Sequence, residues 1–145
     1  MKRFFCVMAI LWLLLNHSFA QVLDIGDTVP PAPFSFLSPG KLVILDFMAT
    51  SCSGCIEALD RMDSLQRVFG DRLQVIPVTY EDSARVAYFK AHNAIGKRIS
   101  LPFIIGDTLL CRYFPHSSIS HVIWIGTDRV VKAITISQYV KYDNI

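Results

Sequence analysis

The sequence carries no excess of charge of either sign that would direct it to a charged partner. It has 14 Lys and Arg against 12 Asp and Glu, a formal net charge of +2. Lys2 and Arg3 account for the whole difference, so the rest of the chain is formally neutral. Without a basic patch or a block of Lys and Arg, we expect neither nucleic acid nor an anionic membrane surface as a partner.

The sequence also lacks an apolar run long enough to span a membrane. The longest run, Phe4–Leu15, has twelve residues and would rise about 18 Å as a helix, against roughly 30 Å of hydrocarbon. A short basic start precedes it, and Ser18-Phe19-Ala20 ends in the small-residue pattern of a cleavage site. We therefore predict a signal peptide over residues 1–20, an exported protein, and no stable membrane span after cleavage.

Cysteine is scarce, with four in the chain, and Cys6 lies inside the predicted signal. Export places the other three, Cys52, Cys55 and Cys111, outside the reducing cytosol, where disulfides form and persist. An odd number excludes a closed framework of disulfides within one molecule. At least one thiol is therefore free or pairs between molecules.

The order of apolar runs predicts a single α/β domain over residues 41–145. Residues 21–40 hold four of the seven prolines and predict an extended lead-in with little regular structure. Alternating strands and helices favour parallel strands with helices on both faces, and the turn Gly126–Arg129 adds a late hairpin, so we expect a three-layer domain around a mixed sheet. The predicted strands are Leu42–Phe47, Leu73–Val78, His121–Ile125 and Val130–Ile136, and the predicted helices run from about Ser53 to Gly70 and from Asp82 or Ser83 to His92.

The sequence Cys52-Ser53-Gly54-Cys55 lies where a buried strand gives way to a helix. A sulfur at the first turn of a helix faces unpaired N–H groups and the positive end of the dipole, which stabilise a thiolate. Cys55, one turn further in, can close a small disulfide with Cys52. This spacing suits thiol–disulfide exchange, with Cys52 as the exposed attacker and Cys55 as the resolver. A structural disulfide or half of a zinc site is the alternative, although zinc would need two further ligands.

Asp46 interrupts the apolar run of the strand before this motif. A buried carboxylate is costly unless it has a partner or a task. Strand pleating allows its side chain to lie beneath the helix start near Cys55, where a raised pKa would suit a proton acceptor for the resolving thiol. The alternative is a hydrogen-bonded polar residue at a strand end.

The stretch LVILDFMATSCSGC resembles the active-site strand and motif of the thioredoxin superfamily, and most closely its exported TlpA/ResA-like branch. The likeness extends from about Asp27 through LPFIIGDTLL and HVIWIGTDRVVKAIT. It implies a thioredoxin-like fold and a location in the periplasm or cell envelope of a diderm bacterium. It also implies that Asp46 is the buried acid, Cys52 the nucleophile and Cys55 the resolving cysteine. The family's last helix is expected to be truncated here.

The sequence departs from this family at several positions. Ser51 replaces the aromatic residue before the first cysteine, and Ser53-Gly54 replaces the usual Gly-Pro pair. Ser120 falls where the family has a cis-proline before the hairpin strand, so Ile119 and Ser120 are the expected substrate-binding loop. A serine is expected to keep a trans bond unless the fold forces it, because a cis bond without proline costs about 2.5–4 kcal/mol.

The resemblance implies thiol–disulfide exchange with protein thiols and disulfides, supported by a redox-donor protein and without a dissociable cofactor or a metal. Three alternatives stay open. One is a copper-binding module that uses Cys52, Cys55 and perhaps His121, because thiolates and imidazole suit Cu(I). Another is a redox-inactive thioredoxin-like binding domain. A peroxidase is the third, disfavoured because Ala49 stands where that activity needs Thr.

Overall fold

The structure, a computed structural model, describes residues 21–145; the predicted signal peptide lies outside the described residues. A five-stranded sheet forms the centre of the domain in the order β3-β2-β1-β4-β5. The first three strands are parallel, and β4 and β5 run antiparallel to their neighbours, so the sheet is mixed as predicted. The strands are β1 (Leu42–Phe47), β2 (Leu73–Thr79), β3 (Ile104–Ile105), β4 (His121–Ile125) and β5 (Val131–Thr135).

Strand β1 is central because its residues, apart from Asp46, are apolar on both faces. Even-numbered Ile44 and odd-numbered Leu45 are both fully buried, each in a different hydrophobic cluster. Parallel β2 lies on one side of β1 and antiparallel β4 on the other. A continuous apolar sequence of this kind is what a strand covered on both sides requires.

The two long helices begin and end at the expected residues. Helix α1 spans Ser53–Phe69, with Cys52 at its N-cap and Gly70 at its C-cap, where φ is 53°. Helix α2 spans Ser83–His92, and a carboxylate oxygen of Asp82 accepts from the backbone N–H of Arg85 at 2.8 Å. At the two ends of α1, Cys52 supplies a side-chain acceptor and Gly70 supplies a left-handed backbone.

Two short elements, β3 and α3 (Leu110–Tyr113), were not predicted. Neither has enough residues to show a period of its own. The Asp107 carboxylate instead accepts from the backbone N–H groups of Leu109, Leu110 and Cys111 and so caps the start of α3.

The core has one layer on each face of the sheet. On one face, α1 and α2 pack through residues such as Leu59, Met62 and Phe89; this is the α1 face. On the opposite face, α3 and the lead-in pack through residues such as Phe114 and Phe34. The lead-in therefore lacks long elements, as predicted, yet supplies an outer layer of the domain.

The segment after β5 forms short turns where the resemblance implied a truncated last helix. Between Ile136 and Ile145 the described chain forms two 3₁₀ turns, Ser137–Tyr139 and Tyr142–Asn144. Val140 is fully buried in the α1-face core, and the Arg61 side chain hydrogen bonds the carbonyl groups of Ser137 and Val140. These carbonyls therefore bond to α1 instead of to a following helical turn. Within residues 21–145, no helix is long and apolar enough to cross a bilayer.

Candidate functional site

Cys52 and Cys55 form a disulfide at the start of α1, with their Cα atoms 5.3 Å apart. The backbone of Cys52 is extended (φ −90°, ψ 103°), and its Sγ accepts from the backbone N–H of Cys55 at 3.2 Å. Cys52 is partly exposed and Cys55 is buried. The more accessible sulfur thus occupies the position of a capping acceptor, where helix N–H groups stabilise negative charge.

Asp46 lies near the carboxyl end of β1, the strand that precedes Cys52. It pairs with Pro77 of β2 and Val122 of β4, and strand alternation sets it on the same face as Ile44 and Met48, the face that α1 covers. Its side chain is 0% exposed, and among the described residues neither carboxylate oxygen has a hydrogen bond of normal geometry. Burial raises its pKa from 3.8 to about 7, although the Ser120 hydroxyl and the Arg61 charge both lower it in part.

The loop before β4 brings Ile119 and Ser120 to the disulfide. The peptide bond between them is cis, so the expected trans bond was wrong. Tertiary contacts hold Ser120: its Oγ accepts from the backbone N–H of Ser137 at 2.8 Å, which ties the loop to the segment after β5. Ile119 is 38% exposed.

A groove of about 350 Å³ runs between the start of α1, this loop and the segment after β5. Cys52 and Cys55 line one wall, and Ile119, Ser120 and Ser137 line the other. The structure therefore brings four of the five predicted site residues to one groove, and the fifth, Asp46, lies in the sheet on the α1 face.

The sequence interpretation missed two charged residues at this site. Arg61 donates from Nε to the carbonyl of Val140 at 2.8 Å and from an Nη to that of Ser137 at 2.7 Å, fixing the far wall of the groove to α1. Nothing in the sequence marks it, because its partners are 76 and 79 residues away.

Glu81 is the second missed residue, and it holds the loop that leads into Cys52. Its carboxylate accepts from the Thr50 backbone N–H at 2.7 Å and from the Thr50 hydroxyl at 2.8 Å. A signal for it exists: Thr50 and Glu81 each follow one of two predicted parallel strands, whose carboxyl ends meet at one edge of the sheet.

His116 and His121 stack on each other, with ring centroids 4.8 Å apart, and both rings contact Phe47. Phe47 belongs to the core on the face opposite α1, so His121 points away from Cys52 and Cys55. The structure therefore does not bring Cys52, Cys55 and His121 together as a copper-binding set. Within residues 21–145, no group of three or more His, Cys, Asp or Glu side chains is arranged to hold a metal ion.

Cys111 is a free, half-buried thiol on that same far face. Burial raises its pKa, and the neighbouring Asp107 raises it further. A thiol held in its protonated form is a poor nucleophile.

These features define a thioredoxin-fold protein with a disulfide of Cys-X-X-Cys spacing at the start of its first long helix, the fold that the resemblance implied. Known structures of this fold align with most of the chain. It is similar to a protein from Chlorobium tepidum assigned as the thiol:disulfide interchange protein DsbE, at 21% identity and a TM-score of 0.64, covering 79% of this chain and 86% of that one.

The thioredoxin domain of the thiol-disulfide oxidoreductase BVU-2223 from Bacteroides vulgatus is also similar, at 17% identity and a TM-score of 0.60, covering 84% of this chain and 92% of that one. AhpC of Mycobacterium tuberculosis aligns at 15% identity and a TM-score of 0.64, over 79% and 87% of the two chains. The sequence matches no protein-family model and no curated protein. At these identities the similarity establishes the fold alone.

Proposed function

We propose that the protein exchanges thiols and disulfides with protein substrates through Cys52 and Cys55. The observation that carries this proposal is the disulfide itself: the accessible sulfur caps a helix, the second sulfur is buried one turn further in, and a groove runs past both. A disulfide of purely structural value would link distant parts of the chain, whereas this one spans three residues and closes a loop too small to add much stability.

In the reduced protein, the Cys52 thiolate attacks one sulfur of a partner disulfide, and the partner's other sulfur leaves as a thiolate. The Cys55 thiolate then attacks Cys52 in the mixed disulfide and releases the second partner sulfur. The partner gains two electrons and the Cys52–Cys55 disulfide forms. The reverse sequence oxidises a partner dithiol, and the reduction potential relative to the redox-donor protein decides the direction.

Asp46 is the proposed proton acceptor for Cys55. Its pKa of about 7 keeps both protonation states populated near neutral pH, which is the condition for efficient general acid–base catalysis. Resolution of the mixed disulfide is therefore expected to accelerate as pH rises through about 7 and Asp46 ionises.

Ile119 and Ser120 are the proposed substrate-binding residues, since they form the groove wall facing the two sulfurs. The exposed side chains of Ile119 and Ile136 give that wall an apolar contact surface beside the reactive sulfur. We further propose a location in the periplasm or cell envelope, because the predicted signal peptide would export the domain.

The experiment is reduction of insulin followed by turbidity, with the wild type and single Cys→Ser variants. Cys52→Ser should abolish activity, because it removes the attacking sulfur. Cys55→Ser should accumulate mixed disulfides that are visible on a non-reducing gel. Cys111→Ser is the matched control and should retain wild-type activity, because this thiol lies on the other face of the sheet. Equal rates for the wild type and Cys52→Ser would exclude the proposal.

A further inference from the structure

Ser120 carries a hydroxyl at a position where a proline side chain would offer neither a donor nor an acceptor. The hydrogen bond that orients this hydroxyl uses its oxygen and leaves its proton free. Ser120 Oγ accepts from the backbone N–H of Ser137 at 2.8 Å. A hydroxyl has one proton to donate and two lone pairs. The Ser137 contact occupies one lone pair and fixes the oxygen, so the O–H remains available for another acceptor.

The nearby sheet register identifies that acceptor. Asp46 of β1 pairs with Val122 of β4, and Ser120 comes two residues before Val122, immediately before β4 begins. Ser120 lines the same groove as Cys55, which packs in the core on the face of the sheet that Asp46 also faces. A residue two positions from a cross-strand partner is a diagonal neighbour, within reach of a side chain on the opposing strand. Both Asp46 oxygens are fully buried and, among the described residues, neither has a hydrogen bond of normal geometry. An Asp46 oxygen is therefore open to accept from the Ser120 hydroxyl.

We propose that the Ser120 hydroxyl donates to the Asp46 carboxylate and thereby favours its ionised form. The inference rests on the proposed function, in which Asp46 accepts the Cys55 proton. Ser120 is then a positioning residue that acts through Asp46, in addition to its place on the groove wall. The direction of its influence on the Asp46 pKa, which is downward, agrees with a donor to the charged form.

The same contact gives the proton a way out. When Asp46 has taken the Cys55 proton, the Ser120 hydroxyl turns its proton toward a solvent water in the groove and offers its free lone pair to Asp46. Asp46 then donates its proton to Ser120 Oγ, and the original hydroxyl proton passes to the water. Ser120 ends with one proton, Asp46 returns to the carboxylate, and the water carries the charge away. The partly exposed Ser120 is suited to this step because it lines the groove, whereas Asp46 is 0% exposed.

The test is a carboxyl-carbon NMR titration of the oxidised protein, labelled at aspartate, with the Asp46 signal identified by its loss in Asp46→Asn. Removing one hydrogen bond to a charged group is expected to raise the Asp46 pKa by about one, a tenfold change in its acid constant. Ser120→Ala should show this rise. Ser120→Thr, which keeps a hydroxyl, should restore the wild-type value.

Ser117→Ala is the matched control, since Ser117 is an exposed serine of the same loop. It should leave the Asp46 pKa unchanged. Ser120→Pro is the second variant without a hydroxyl, and it should reproduce the rise if Ser120→Ala fails to fold. An unchanged or lowered pKa in the variants without a hydroxyl overturns the inference, as does an equal rise in Ser117→Ala.

The titration requires no activity, so it separates this inference from the proposed function. A rise of the Asp46 pKa in Ser120→Ala, together with a wild type that fails to reduce insulin, would sustain the contact and reject the exchange activity. If the wild type is active, the pH midpoint for resolving a trapped mixed disulfide should rise by about the same tenfold step in Ser120→Ala. A midpoint that stays fixed while the pKa rises would overturn the coupling to Cys55.

Discussion

Replacing Asp46 with Asn should make the folded protein more stable above neutral pH. Burial raises the pKa of Asp46 from 3.8 to about 7, so between about pH 4 and 7 the folded state holds a proton that the unfolded state has released. Stability therefore falls as pH rises through this window, and the loss is complete above pH 7. At 1.36 kcal/mol for each pKa unit, a rise of about 3 corresponds to about 4 kcal/mol.

The assay is urea unfolding of the oxidised wild type and Asp46→Asn at intervals from pH 4 to 8.5. Asn binds no proton in this range, so the difference in unfolding free energy between the variant and the wild type should grow by about 4 kcal/mol from the acid end to the alkaline end. Any constant cost of burying the amide cancels in this comparison. The sign is unusual, because most substitutions of buried residues destabilise.

Asp63→Asn supplies the matched control at a second buried carboxylate on the same face. Asp63 is 1% exposed, pairs with Arg67, and accepts from the Ser100 backbone N–H and hydroxyl at 3.0 Å each. Its replacement should destabilise by about 1–3 kcal/mol at pH 8, because it weakens bonds to a charged acceptor. Parallel stability curves for the wild type and Asp46→Asn across pH 4–8.5 would refute the reasoning, since Asp46 would then be ionised in the fold.

Two further predictions concern the loop before Cys52 and the start of α2. Glu81→Gln leaves the Thr50 N–H or hydroxyl with a poorer acceptor and should lower the unfolding free energy by about 1–3 kcal/mol. The exposed Glu57→Gln is the control and should stay within about 0.5 kcal/mol of wild type. An equal loss in both variants would show that the Glu81 hydrogen bonds do not stabilise the fold. Asp82→Ala removes the N-cap acceptor of α2 and should lower the unfolding free energy, measured in urea, by about 1 kcal/mol. Asp82→Asn keeps an acceptor oxygen and should recover most of that stability. An unchanged urea midpoint in Asp82→Ala would show that the cap does not stabilise α2.

The parts of the fold that the sequence predicted are those whose information is local. A continuous apolar run predicted β1, and a period near 3.6 that ends at Gly70 predicted α1 from about Ser53 onward. The side of the sheet that Asp46 faces followed from strand alternation, which needs no knowledge of distant residues. The CXXC spacing likewise predicted two sulfurs within bonding reach, because three residues make about one helical turn.

The parts that the sequence could not predict depend on contacts between distant residues. Strand β3 has two residues, and α3 is held by the Asp107 cap instead of by its own periodicity. The Arg61 bonds to the segment after β5 join residues more than seventy positions apart. The cis bond at Ser120 departs from the local preference for trans, and the contact that holds Ser120 involves Ser137, seventeen residues further along the chain.

The energetics of Asp46 bear directly on the proposed role of the site. With a pKa of about 7, the buried carboxyl of Asp46 destabilises the fold by about 4 kcal/mol above neutral pH, a large share of the 5–15 kcal/mol typical of a domain. Neither packing nor cross-strand pairing at this position needs a charge, since Val122 and Pro77 on the neighbouring strands are apolar. Stability of the fold therefore does not explain why an acid occupies position 46. The proposed proton transfer from Cys55 does, because it requires a group that titrates near neutral pH. The destabilisation and the proposed activity are then two consequences of the same buried carboxyl, and a variant that gains stability at pH 8 should lose resolution of the mixed disulfide.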